Sequence, residues 1–187
     1  MRVVIAGGHG KVALLLERIL AGRGDQAVGL IRNPAQAADV QQAGAEAVVC
    51  DLEAASAGDV AVLLSGADAV VFAAGAGAGS GVPRKDSVDR AASVLMADAA
   101  ERAGVARIVQ ISSMGAGQPP QPGTGEVWTA YITAKTAAAV SCRTPIRPKG
   151  KASIGSQRAS IGSSDPAAGE RPTPDMAGCQ AEPIVDQ

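Results

Sequence analysis

Four apolar residues, Val3-Val4-Ile5-Ala6, run into Gly7-Gly8-His9-Gly10-Lys11-Val12-Ala13 and from there into Leu14-Leu15-Leu16-Glu17-Arg18-Ile19-Leu20. A strand that passes through a glycine-rich turn straight into a helix leaves little choice of fold. The small residues fall in a G-x-x-G-x-x-A pattern at Gly7, Gly10 and Ala13. Each answers a separate need: Gly7 allows the sharp exit from the strand, Gly10 lets the backbone approach a bound group, and Ala13 lets the helix pack near the strand. The helix N-terminus then offers free N–H groups and about half a positive charge, which suits a phosphate.

Further apolar runs follow at the spacing of βαβ units: Ala27–Ile31, Ala47–Cys50, Ala69–Ala73 and Arg107–Ile111. None alternates strictly between polar and apolar, as expected of strands covered by helices on both faces. Helical patterns occupy Val12–Ala21, Pro34–Ala43, Ala57–Leu64 and Ser87–Ala103. In the last of these, Val88, Ala91, Ala92, Leu95 and Ala99 form an apolar helix face. Gly44, Gly66 and Gly104 stand just past helices, where a left-handed cap favours glycine. The pattern predicts an α/β fold: a Rossmann-type, doubly wound parallel sheet of strand order 3-2-1-4-5, with further C-terminal strands missing.

In such a fold the first turn binds the pyrophosphate of a dinucleotide, so Gly7, Gly8, His9, Gly10, Lys11 and Val12 are candidate cofactor contacts. The end of the second strand discriminates between cofactors. An NAD site places an acid there for the ribose hydroxyls. This chain has Leu30-Ile31-Arg32-Asn33, and a guanidinium matches a 2′-phosphate, so NADP is the expected cofactor.

Composition excludes several other classes. Seventeen basic and 18 acidic residues form no positive stripe, and aromatics are only 2%, which argues against nucleic-acid binding. The three cysteines lie far apart with no CxxC pair, which argues against a zinc site or a disulfide framework and fits a reducing cytoplasm. A single histidine leaves no multi-histidine metal site, and no metal is expected. The start of the chain is too short in apolar residues for a signal peptide or a spanning helix. The expected partners are a small-molecule substrate and, as an option, a second copy of the chain, with neither nucleic acid nor membrane.

Over residues 2–138 the pattern resembles the short-chain dehydrogenase/reductase superfamily, in particular its atypical NAD(P)-binding, epimerase-like and NmrA-like branch. The resemblance rests on GGHGKVA, on Arg32, on Asp51-Leu52 and Ala73-Ala74-Gly75 after the third and fourth strands, on Ala100–Ser113, and on Tyr131-Ile-Thr-Ala-Lys135. It implies that Asp51 and Leu52 contact the adenine and that Ala73, Ala74 and Gly75 line the ribose and pyrophosphate. Asp51 also has a plain reading as a loop acid. The four-residue spacing puts Tyr131 and Lys135 on one helix face. The resemblance makes Tyr131 the acid/base, Lys135 the ribose anchor that favours phenol ionisation, and Ser113 the partner of the substrate carbonyl, with Ser112 the lesser candidate. Asp89 stands where many relatives carry Asn.

The C-terminus departs from that pattern. From about Ser141 the chain is rich in Ser, Pro, Gly and Arg and lacks apolar periodicity, so residues 1–140 read as the NAD(P)-binding domain and 141–187 as a poorly ordered tail. A divergent tail and an altered reading frame both fit. Three functions are expected to compete: an NADP-dependent oxidoreductase or epimerase acting on a small carbonyl or alcohol, a non-catalytic NADP(H)-binding sensor or regulator, and an inactive truncated product.

Overall fold

A computed structural model describes residues 1–77, 79–119, 123, 125–143 and 179–180. The strands are β1 (Arg2–Ala6), β2 (Gln26–Ile31), β3 (Glu46–Cys50), β4 (Ala69–Phe72), β5 (Ile108–Gln110) and β6 (Cys179–Gln180). The helices are α1 (Lys11–Gly22), α2 (Ala37–Gln42), α3 (Ala57–Leu63), α4 (Val82–Arg84), α5 (Ala92–Ala103) and α6 (Glu126–Arg143). A short 3-10 turn, Pro34–Gln36, leads into α2, and a π-helical segment, Lys85–Ala91, joins α4 to α5.

The sheet order is β5-β4-β1-β2-β3-β6, so the five parallel strands take the expected 3-2-1-4-5 arrangement. Val4 sits opposite Val28 on one side and Val70 on the other, which places β1 at the centre. Successive strand residues point to opposite faces, and both faces are covered. Val4, Val28, Val70 and Phe72 pack with Val60, Leu64 and Met96 on the face of α3 and α5. Val3, Ile5, Ile31 and Val71 pack with Ala13, Leu20 and Val40 on the face of α1 and α2. Each fully buried Val, Leu or Ile is worth about 1.5–3 kcal/mol over its exposed state, which explains the unbroken apolar runs.

Three features differ from the sequence reading. The π-helical segment adds one residue to the turn, so Lys85, Val88 and Asp89 are buried while Ala91 is exposed. Beyond β3 lies the two-residue β6, antiparallel, with Cys179 opposite Cys50. Cys50 is disulfide-bonded, where unpaired cysteines were expected. Helix α6 runs to Arg143, across the expected boundary at residue 140. The remainder of the expected tail lies outside the described residues. Among the described residues no helix is long and apolar enough to cross a membrane.

Candidate functional site

A cleft of about 1070 Å³ opens at the C-terminal ends of the parallel strands, lined by the ends of β2 and β3, by the residues after β1, β4 and β5, and by the helices beyond them. Strand order switches here, since β1 has β2 on one side and β4 on the other. Open α/β sheets bind ligands at such a point.

At its glycine end the cleft is shaped by backbone. Gly7 has φ 78°, and a Cβ on it would lie 2.7 Å from Ala74 Cα. The Gly7 and Gly8 amides both donate to Leu30 O, at 3.1 and 2.9 Å, which locks the turn to the end of β2. Gly8 packs on Gly29, a Cβ there meeting Gly29 Cα at 2.6 Å. Gly10 caps α1, makes no side-chain hydrogen bond as a cap, and is followed by a first turn without acidic residues. Those N–H groups are therefore available to an anion. A pyrophosphate fits this cradle. Gly7, His9 and Gly10 line the cleft; Gly8, Lys11 and Val12 do not, and Val12 is exposed. His9 is held by Asp39, Nε2 to Oδ2 at 2.7 Å.

Around the rim, Arg32, Asp51, Leu52, Ala73, Ala74 and Gly75 all line the cleft. Asp51 accepts from the Glu53 amide at 3.0 Å, so its carboxylate also fixes the local turn. Arg32 Nη1 donates to Glu53 Oε2 at 2.9 Å. Glu53 was not anticipated, because a lone acid after a strand carries no sequence signal.

At the far end α6 presents Tyr131 and Lys135 to the cleft. Lys135 is buried and ion-paired with Asp89, Nζ to Oδ1 at 3.0 Å. Asp89 Oδ2 also accepts from the Ala76 amide at 3.2 Å. A second ammonium, Lys85, lies 5.2 Å from the centre of the Tyr131 ring, against 5.9 Å for Lys135. Both are within range of favourable cation–π attraction. Lys85 Nζ donates to Gly77 O at 2.8 Å. Sequence reading missed Lys85 because the π-helical segment that turns it inward has no sequence signature. Ser113 does not line the cleft; its hydroxyl donates to Met114 O at 3.3 Å, and Ser112 occupies the wall instead. Trp128 also lines the cleft, 5.5 Å from Tyr131 between ring centres.

Behind the glycine turn is Glu17, fully buried, with neither carboxyl oxygen hydrogen-bonded among the described residues. Burial pushes its pKa up to about 7, with His9 and then Arg18 opposing the rise. Glu17 shares the inward helix face with Ala13 and Leu20, four residues after the first and three before the second, a placement the sequence reading did not draw out.

A family described as NAD(P)H-binding matches residues 7–145. Among curated relatives, a UPF0659 protein of Schizosaccharomyces pombe is 37% identical over 124 residues, 64% of this chain and 50% of that protein. The uncharacterized sugar epimerase YhfK of Bacillus subtilis is 31% identical over 115 residues, 61% of this chain and 53% of that protein. The chain spans about half the length of these curated relatives. Among solved structures, a Bacillus halodurans protein described as an NAD-dependent epimerase/dehydratase has a TM-score of 0.70 at 30% identity, over 78% of this chain and 66% of that one. The Bordetella bronchiseptica enzyme WbmG, solved with NAD, has a TM-score of 0.63 at 20% identity, over 78% of this chain and 50% of that one. That second likeness supports the fold alone.

Proposed function

The chain belongs to the NAD(P)H-binding family, and from that premise we propose that it binds NADP(H) and acts as an oxidoreductase or epimerase on a small carbonyl or alcohol. One observation carries the reading: a single cleft joins an anion-ready glycine turn to Tyr131, with Arg32 on the rim between the second and third strands. The similarity to the sugar epimerase YhfK favours a polyol or sugar-like substrate over an apolar one.

In this reading the N–H groups of the first turn of α1 hold the pyrophosphate, which the glycine-rich turn Gly7–Gly10 lets approach, and Arg32 faces the 2′-phosphate. A bound nicotinamide supplies hydride transfer. Tyr131 supplies or accepts the substrate hydroxyl proton at its phenolic oxygen, and the ammonium of Lys85 stands against its ring. Lys135, tied to Asp89, fixes the loop at Ala76 to α6 and so shapes the pocket wall. Ser112, on the wall, is placed to meet a substrate oxygen; Ser113 reaches that role only if the loop turns.

A second reading, a non-catalytic NADP(H) sensor, draws on the Lys135–Asp89 pair, which occupies the lysine that would otherwise anchor the ribose. Two readouts separate the readings: loss of NADPH absorbance with a panel of small aldehydes, ketones and keto-sugars reports reduction, and cofactor-dependent conversion of a sugar or polyol to its epimer, which regenerates the cofactor, reports epimerisation. Cofactor-dependent turnover is the expected result. Tight NADPH binding with no turnover across the panel would favour the sensor.

A further inference from the structure

Three separate loops meet at the mouth of the cleft. Arg32 follows β2, Glu53 follows β3, and Arg84 ends α4 beyond β4. Glu53 Oε2 accepts from Arg32 Nη1 and from Arg84 Nη2, each at 2.9 Å, while Glu53 Oε1 accepts from Ser87 Oγ at 2.7 Å. All three charged residues line the cleft. One carboxylate oxygen thus holds two guanidinium groups that reach it from separate loops. Arg84 Nε is buried with no hydrogen-bond partner among the described residues, so this guanidinium is not saturated by its contact with Glu53.

We propose that Arg84 is a second ligand for the 2′-phosphate of the cofactor, beside Arg32 at the cleft mouth, and that Glu53 is an internal competitor for the same two guanidiniums. The proposal rests on the NADP(H) reading above. A phosphate monoester carries close to two negative charges and three acceptor oxygens, and it matches two guanidinium forks better than a single carboxylate oxygen does. The competing ion pairs are partly exposed, Arg32 at 53% and Arg84 at 41% of their side chains, and such pairs exchange readily. Glu53 keeps the two arginines in register before the cofactor arrives, then opposes the phosphate by like charge. It sets the strength of the preference, and Arg84 contributes to its sign.

A ribose hydroxyl gains nothing from a second guanidinium but does gain from a carboxylate acceptor. The alternative is therefore sharp: Glu53 as the ribose acceptor of an NAD site, with both arginines merely holding it.

Adenosine 2′,5′-bisphosphate and adenosine 5′-monophosphate differ only in the 2′-phosphate and serve as the probes. Calorimetric titration of the full chain should show the bisphosphate binding more tightly. Arg84→Ala should weaken the bisphosphate by roughly tenfold, the scale of one charge-assisted hydrogen bond, and leave the monophosphate within about twofold, which also reports that the fold is intact. Glu53→Gln should tighten the bisphosphate by about three- to tenfold. If the wild type prefers the bisphosphate yet Arg84→Ala leaves that preference unchanged, the role of Arg84 is overturned while the NADP(H) reading stands. If the wild type shows no preference, the NADP(H) reading fails. Weaker monophosphate binding in Glu53→Gln would make Glu53 the ribose acceptor and overturn its role as competitor.

Discussion

At the glycine turn the cleft is made of backbone, while at the Tyr131 end it is made of side chains. Gly7 at φ 78°, the paired amides on Leu30 O and the Gly8–Gly29 contact define the first end, all attached to the central strands β1 and β2. The second end depends on Lys85, Asp89, Tyr131 and Lys135, drawn from a π-helical segment and α6, beside the sheet-edge strand β5 of only three residues. Val109 and Trp128 at that end are about half exposed. A backbone site tolerates change in most side chains but no added Cβ at its contact points. A side-chain site tolerates backbone variation but fails with one residue. Binding and chemistry should therefore be separable by mutation.

The largest separation is expected from Tyr131→Phe. It removes the transferable proton and keeps the ring, so turnover should fall roughly 10²- to 10⁴-fold, while NADPH affinity stays near the wild-type value. Rates like the wild type would remove Tyr131 from the mechanism and leave the far end of the cleft without its acid/base.

The converse change is Gly7→Ala. Its Cβ would lie 2.7 Å from Ala74 Cα in a left-handed conformation. Strain and overpacking together should cost about 3 kcal/mol of stability, with NADPH binding lost even where the protein remains folded. An unchanged urea midpoint and unchanged NADPH affinity would refute the backbone account of that end.

Glu17 gives the glycine end a pH dependence. Its pKa rises from 4.5 to about 7 on folding, so between those values the unfolded chain has released a proton that the folded chain retains. Stability should fall as pH rises through this window and level off above it, by on the order of 3 kcal/mol. Urea unfolding at pH about 5 and about 8 should show that loss in the wild type and much less of it in Glu17→Gln. Equal pH profiles for the two proteins would mean that water or a partner group solvates the carboxyl.

The same division explains what could be read from the sequence. The strand-turn-helix signature, the order of the five parallel strands and the place of Arg32 follow from local composition and register, while Asp51 and Ala73–Gly75 were named through the family resemblance. Local steric needs fix such features. The π-helical segment escaped because an i→i+5 turn has no residue signature, and with it went the inward placement of Lys85 and the burial of Asp89. Ser112 lines the cleft and Ser113 does not, a difference of one residue that strand alternation cannot settle, since β5 ends at Gln110 and the loop beyond it is free of that alternation. Glu53 and Arg84 lie 31 residues apart and meet only through the crossover between β3 and β4. Long-range pairings of exposed charges leave no periodic trace.

If the cleft binds a dinucleotide and Arg32 reads its 2′-phosphate, the chain distinguishes NADPH from NADH. Trp128, the only tryptophan, lines the cleft beside Tyr131 and provides the signal. Titration of the full chain with NADPH and with NADH, followed by Trp128 fluorescence at one fixed salt concentration, should show both binding and NADPH favoured by about 1–3 kcal/mol, the scale of charge-assisted hydrogen bonds. Equal affinities, or tighter binding of NADH, would contradict the assignment of Arg32, and no response to either cofactor would contradict the dinucleotide cleft itself.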